Sequence, residues 1–180
     1  MIEGSLKERF LAGQTFAEFL DNPQKYHDLW GALYKRATVP DEILAHAKTI
    51  KKPWHFLVLS EDWCGDSINT LPIVAKLTEA QPLLDMRILG RDANPDLMNA
   101  HLTGGKSRSI PVVMLLDENY IERAWWGPRP RPLQEWVLQH LADPSQDRYK
   151  EVRRWYARDH GVRSLTEILD MIDAADKASV

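Results

Sequence analysis

Short apolar runs and amphipathic stretches alternate through the middle of the chain. Apolar runs of about seven residues are typical of buried strands, and apolar positions at a period of 3.6 are typical of helices. In chain order the predicted elements are strand 54–60, helix 65–80, strand 84–89, helix 95–102, loop 103–110, hairpin 112–126 and helix 132–142. Strands separated by a helix are joined by a right-handed crossover, so the first two strands should run parallel. The pattern therefore predicts an α/β fold.

Both ends of the chain show helical periodicity. Residues 1–52 form a predicted N-terminal helical extension, in which Asn22 and Pro23 separate two helices. Residues 143–180 form a predicted C-terminal extension, with helices over 146–160 and 164–175. We expect both extensions to pack on a core at 53–142 and to make one compact domain.

Composition excludes several classes of function. Of the 180 residues 44% are hydrophobic and 27% are charged, and the net charge is −3, so nothing favours nucleic acid or an anionic membrane surface as a partner. No apolar run reaches the ~20 residues of a membrane span, and the N-terminus lacks the pattern of a secretory signal. The six histidines show no metal-ligand spacing, so no metal or cofactor is predicted. A single cysteine favours a reducing, cytoplasmic setting.

The single cysteine is the main candidate for chemistry. Cys64 lies between the first predicted strand and the helix after it. Unpaired N–H groups and the helix dipole favour a negative charge at a helix N-terminus. A thiolate carries such a charge, so the sequence predicts a pKa for Cys64 below the ordinary ~8.5 and a reactive thiol.

The segment around Cys64, Trp63-Cys64-Gly65-Asp66-Ser67, resembles the Trp-Cys-Gly-Pro-Cys signature of the thioredoxin family. Pro72 occupies the position of the proline that kinks the active-site helix, Ile110-Pro111 that of the cis-proline element, and Gly127 that of the glycine sixteen residues later. The resemblance covers roughly 54–141. It implies a thioredoxin fold, in which a central mixed sheet is flanked by helices and the cis-proline loop faces the cysteine.

Further residues resemble a bacterial subgroup of thioredoxin-like proteins that carry Trp-Cys-Gly-Asp-Cys. They are Arg91-Asp92, Leu97-Met98, Leu102-Thr103 and Arg108-Ser109-Ile110-Pro111. Asp66 matches this subgroup, whereas Ser67 replaces the second cysteine. Val58 and Ile88 occupy the positions of the acid and lysine that thioredoxins use. Because acid, lysine and second cysteine are all absent, the resemblance implies a site for one-cysteine or non-redox work.

The resemblance also suggests roles for the site residues. Cys64 would attack a disulfide, while Gly65 and the helix N-terminus would stabilise its thiolate. Ser67 would donate a hydrogen bond to that thiolate, and Asp66 would support the helix but repel the thiolate. The substrate would lie on a groove formed by Trp63, Ile110 and Pro111.

Three functions remain open on the sequence alone. The first is thiol–disulfide chemistry by Cys64 on a protein or on a low-molecular-weight thiol or disulfide, with an external thiol as the resolving partner. Lys106 and Arg108 could attract the carboxylates of a small thiol such as glutathione. The second is a redox-inactive module that binds an extended peptide in the same groove. The third, weaker idea is metal or cluster binding by Cys64 of two protomers; the oligomeric state is not predicted.

Overall fold

A four-stranded mixed sheet lies at the centre of the structure, a computed structural model that describes residues 4–21, 25–145 and 147–178. The strands are β1 (Trp54–Ser60), β2 (Leu84–Gly90), β3 (Val112–Leu116) and β4 (Glu122–Trp126). Their order across the sheet is β2-β1-β3-β4, with β1 parallel to β2 and β3 antiparallel to both of its neighbours. The predicted α/β fold and the parallel pair are therefore confirmed.

Helices cover the sheet and form both flanking segments. In the described ranges they are α1 (Leu6–Ala12), α2 (Phe16–Asp21), α3 (His27–Arg36), α4 (Asp41–Ala47), α5 (Gly65–Ala80), α6 (Pro95–Ala100), α7 (Arg131–Gln139), α8 (Arg148–Asp159) and α9 (Val162–Lys177). Asn22 and Pro23, the predicted break between two helices, lie outside the described residues. None of the described helices is long and apolar enough to cross a membrane.

The side chains of β1 alternate between two hydrophobic layers, because successive residues of a strand point to opposite faces. Phe56 and Val58 belong to the larger layer, which includes residues of α5 and α9. Leu57 and Leu59 belong to the smaller layer, which includes residues of α1 and α6 and also Cys64. Both faces are buried, which explains why β1 is a continuous apolar run.

Helices α2, α3 and α4 of the N-terminal segment pack on the larger layer, and a residue between α1 and α2 pairs with one edge of the sheet. Trp30 of α3 is fully buried, and its indole N–H donates to the Asp62 carbonyl at 2.9 Å. Gln14 exchanges two backbone hydrogen bonds with Ile88 of β2, at 2.9 and 2.8 Å. This bridge occupies backbone groups that an edge strand would otherwise expose.

His101 is a buried group whose hydrogen-bond partners favour its protonated, charged form. It is 3% exposed and follows α6. Its Nδ1 lies 2.7 Å from the Leu97 carbonyl, and its Nε2 lies 2.7 Å from a Glu122 carboxylate oxygen. The Leu97 carbonyl and an ionised Glu122 carboxylate both accept hydrogen bonds, so this arrangement favours a proton on both ring nitrogens. Burial lowers the pKa of His101, but the hydrogen bonds to Glu122 and Leu97 outweigh it and leave the pKa raised.

A raised pKa in the folded state makes stability depend on pH. The contribution of His101 is fully present below the unfolded pKa of ~6.5 and is lost as pH rises through the folded pKa. We expect Glu122→Gln to lower the free energy of unfolding by about 1 kcal/mol at about pH 6. The variant should also show a smaller loss of stability as pH rises. Urea unfolding across the range measures it. Glu118→Gln, at an exposed site in the β3–β4 turn, is the control. If stability changed equally with pH in the wild type and in both variants, the pairing of a protonated His101 with Glu122 would be contradicted.

Candidate active site

Cys64 is the N-cap residue of α5 and lies between that helix and the loop before β3. Its backbone is extended, and its Sγ accepts a hydrogen bond from the Ser67 N–H at 3.5 Å. The thiol donates to the Ile110 carbonyl at 3.3 Å. Only 6% of Cys64 is exposed. The structure therefore brings Cys64 and Ile110, two of the predicted site residues, into direct contact.

The loop that faces the sulfur is held in place by the end of β4. The Ile110–Pro111 peptide bond is cis, and both residues are buried. Gly127 has φ +138, and a Cβ atom there would lie 2.1 Å from the Pro111 carbonyl oxygen. Only glycine allows this approach, so the fold itself explains the glycine at this position.

The predicted low pKa of Cys64 is wrong. Burial raises the pKa of the thiol above its ordinary value, and the nearby negative charge of Asp66 raises it further. Ser67 opposes the rise but does not overcome it. The thiol also donates to the Ile110 carbonyl, a contact that stabilises the protonated form. Cys64 does lie at the helix N-terminus, as the sequence predicts, but desolvation of the thiolate outweighs the favourable effect of that position.

Ser67 acts on the thiol through both its side chain and its backbone N–H, and both lower the pKa of Cys64. It is fully buried, and its Oγ has no hydrogen-bond partner among the described residues. In the protonated site the hydrogen bond to the sulfur comes from the Ser67 N–H at 3.5 Å, while the Ser67 side chain favours the thiolate, in the direction that the sequence predicts. Gly65 is exposed, and a Cβ atom there would meet nothing within 4 Å. The open side of the site thus lies at the first residue of α5.

Asp66 is held in a partly buried ion pair. Arg129 contacts both carboxylate oxygens, through Nη2 at 2.6 Å and Nε at 2.9 Å, and the Tyr156 hydroxyl donates to the same carboxylate at 3.0 Å. The side chain of Asp66 is 12% exposed. The sequence analysis missed Arg129 and Tyr156, because they are 63 and 90 residues from Asp66 and no local pattern connects them.

Trp63 provides the exposed surface beside the buried thiol. It is 40% exposed, and the Arg91 guanidinium lies 4.9 Å from its ring centroid. Arg91 also donates to the Arg108 carbonyl at 3.3 Å, which connects Trp63 to the loop before Pro111. The three residues predicted to bind substrate therefore differ in accessibility, since Ile110 and Pro111 are buried and Trp63 is not.

Apolar side chains occupy the place where thioredoxins carry an acid and a lysine. Val58 and Ile88 are partners in the parallel pairing of β1 and β2, and both are buried. Neither side chain can accept or donate a proton. These two positions therefore provide no group that could transfer a proton to or from Cys64.

Away from the thiol, one group of side chains has the composition of a cation site. His46 of α4 and Asp170 and Asp173 of α9 place their ligand atoms within 4.8 Å of one another. Sequence spacing could not reveal this group, because its members come from two distant helices. His46 already hydrogen-bonds Asp173 at 2.9 Å, and Asp170 is exposed. Surface carboxylates form such groups without a metal, so we assign no metal site here.

The sheet order, the cysteine at the start of α5 and the proline loop facing it define a protein of the thioredoxin fold. A family model described as Thioredoxin matches residues 13–150, and the chain belongs to the thioredoxin family.

Two solved structures show the same fold. A protein of unknown function from Pseudomonas aeruginosa has a TM-score of 0.76 at 20% identity, over 96% of this chain and 99% of the other. An HIV epitope-scaffold has a TM-score of 0.76 at 19% identity, over 95% of this chain and 99% of the other. A search of curated proteins finds no match. At these identities the two structures establish the fold alone.

Proposed function

We propose that this protein performs thiol–disulfide chemistry through one cysteine, Cys64. The observation that carries the proposal is the 3.3 Å contact between Sγ and the Ile110 carbonyl. An extended substrate that pairs with the backbone beside Pro111 would bring its own sulfur to Cys64. The exposed Trp63 ring would form the outer wall of that groove.

The proposed reaction has two exchanges. The Cys64 thiolate attacks one sulfur of a substrate disulfide, so a Cys64–substrate S–S bond forms and the original S–S bond breaks. The other substrate sulfur leaves as a thiolate and takes up a proton. An external thiolate then attacks the substrate sulfur of the mixed disulfide and expels Cys64. Since the chain has no second cysteine, the resolving thiol must come from outside.

The raised pKa of Cys64 indicates a slow site that retains its product. A small thiolate fraction at neutral pH slows the first exchange. A thiol of high pKa is also a poor leaving group, so the second exchange is slow too. Mixed disulfides on Cys64 should therefore form slowly and persist, which suits capture of a substrate better than rapid turnover.

We infer the setting and the substrate class from the cysteine content and from the charges near the thiol. Lys106 and Arg108 are exposed on the loop before Pro111, and they favour a substrate with carboxylates. A single cysteine without a disulfide partner suits a reducing compartment such as the bacterial cytoplasm. We place the protein with the Trp-Cys-Gly-Asp-Cys subgroup, as a variant in which Ser67 replaces the second cysteine.

A second candidate function is a redox-inactive module that binds an extended peptide in the same groove. The raised pKa and the 6% exposure of Cys64 favour it, because both reduce thiol reactivity. In this case Cys64 would serve as a buried polar contact to Ile110, and Trp63 would supply most of the binding surface.

Intact mass after exposure to oxidised glutathione separates the two candidates. We expect one glutathionyl group on the native protein, added faster at about pH 9 than at about pH 7 because the thiolate is the nucleophile. Dithiothreitol should remove it, and Cys64→Ser should not acquire it. Urea-unfolded protein is the positive control for the thiol itself. If the unfolded chain reacts and the native chain does not at either pH, the binding module is favoured instead.

A further inference from the structure

Two side chains from the C-terminal part of the chain hold the only acidic group within the Cys64–Ser67 turn. Arg129 lies in the loop before α7, and Tyr156 lies on α8. Arg129 binds both oxygens of Asp66, and the Tyr156 hydroxyl binds one of them. Arg129 also donates to Gln134 Oε1 at 2.9 Å, which fixes the direction of its guanidinium. A bidentate pair with a third donor is a well-defined, charge-assisted arrangement.

The charge of Asp66 matters to the thiol because the two groups are two residues apart on one helix turn. A negative carboxylate disfavours a thiolate beside it, and this effect raises the pKa of Cys64. Burial raises the pKa of Asp66, while Arg129 and Tyr156 lower it. Other charged residues close to this turn are Glu61, whose carbonyl accepts the Cys64 N–H, and Arg91, which lies over Trp63 and donates to the Arg108 carbonyl.

We propose that Arg129 and Tyr156 are positioning residues, which compensate the charge of Asp66 and thereby control the reactivity of Cys64. The proposal rests on the proposed function, in which Cys64 reacts as a thiolate. It assigns a role to the C-terminal extension, since α8 supplies a hydroxyl to the carboxylate beside the thiol. A change in α8 would then alter thiol chemistry without touching the cysteine.

A purely structural role for the ion pair makes a different prediction. A buried ion pair that only joins α5 to the C-terminal segment would affect unfolding when it is broken. It would leave the titration of the thiol in the folded protein unchanged. The ultraviolet absorbance of the thiolate against pH, corrected with Cys64→Ser, therefore separates the two roles. This readout needs no substrate.

Arg129→Gln should move the thiolate midpoint to higher pH. The thiol titrates at alkaline pH, where Asp66 is ionised and would lack its positive partner. Alkylation by iodoacetamide at about pH 7 should slow at least about threefold, since it follows the thiolate fraction. Asp66→Asn in the same background removes the negative charge, so the midpoint should return to the wild-type position or below it.

A matched control and a milder variant complete the experiment. Arg153→Gln makes the same change of charge on an exposed site of α8 and should leave the midpoint unchanged. Tyr156→Phe keeps the ring but loses the hydrogen bond to Asp66, and it should raise the thiolate midpoint less than Arg129→Gln does. If Arg129→Gln does not fold, Tyr156→Phe tests the proposal in its place. A wild-type midpoint in both variants, or a raised midpoint that Asp66→Asn does not restore, would overturn the proposal.

The outcome is distinguishable from the test of the proposed function. If native Cys64 forms no mixed disulfide but its midpoint responds to Arg129 as described, the coupling stands and the enzymatic function fails. If mixed disulfides form and the midpoint is insensitive to Arg129, the function stands and the positioning role fails.

Discussion

Gly127→Ala is expected to destabilise the fold by at least about 3 kcal/mol, measured as the free energy of unfolding in urea. The new Cβ would lie 2.1 Å from the Pro111 carbonyl oxygen, and φ at this residue is +138. The end of β4 and the start of β3 would therefore have to move away from each other. Because Pro111 follows Ile110, the variant should also disturb the Ile110 contact to Cys64 and make the thiol more accessible to alkylation.

Gly31→Ala is the matched control for this substitution. Gly31 lies inside α3, and a Cβ atom there meets nothing within 4 Å. Alanine should stabilise the helix by up to about 1 kcal/mol, because glycine is a poor helix former. Equal stabilities for the two variants would contradict the close approach of Gly127 to Pro111.

Ser67→Cys is expected to raise insulin-type disulfide reduction at least about tenfold over the wild type, when no monothiol is added. The Ser67 N–H already lies 3.5 Å from the Cys64 sulfur, so a cysteine there would place a second thiol beside a mixed disulfide. That thiol could expel the substrate internally. The variant should remain slower than a thioredoxin, because Val58 cannot act as a base.

Ser67→Ala separates the new thiol from the loss of the serine hydroxyl. The hydroxyl is buried without a partner among the described residues, so its removal should change the free energy of unfolding little. Because the Ser67 side chain lowers the pKa of Cys64, its removal should raise that pKa. Disulfide reduction by this variant should not exceed the wild-type level. Efficient reduction by the wild type without an added monothiol would be inconsistent with a one-cysteine site.

The local sequence pattern was sufficient to predict the helices and strands and their order along the chain. The apolar run of β1, the amphipathic α5 and the hairpin of β3 and β4 were predicted within a few residues of their observed bounds. These elements are determined by hydrophobic periodicity and turn residues, which are properties of neighbouring positions. The position of Cys64 at the start of a helix could also be predicted from local pattern, because it follows from the strand-to-helix transition.

The chemical state of the site depends on contacts between distant parts of the chain. The Ile110 carbonyl, 46 residues from Cys64, meets the thiol, and the smaller hydrophobic layer excludes water from it. Arg129 and Tyr156 reach Asp66 from 63 and 90 residues away. The sequence by itself determined where the thiol lies in the fold and that it has no partner cysteine. Only the tertiary structure decided that its pKa is raised, because desolvation and the pairing of charges arise when remote segments pack together.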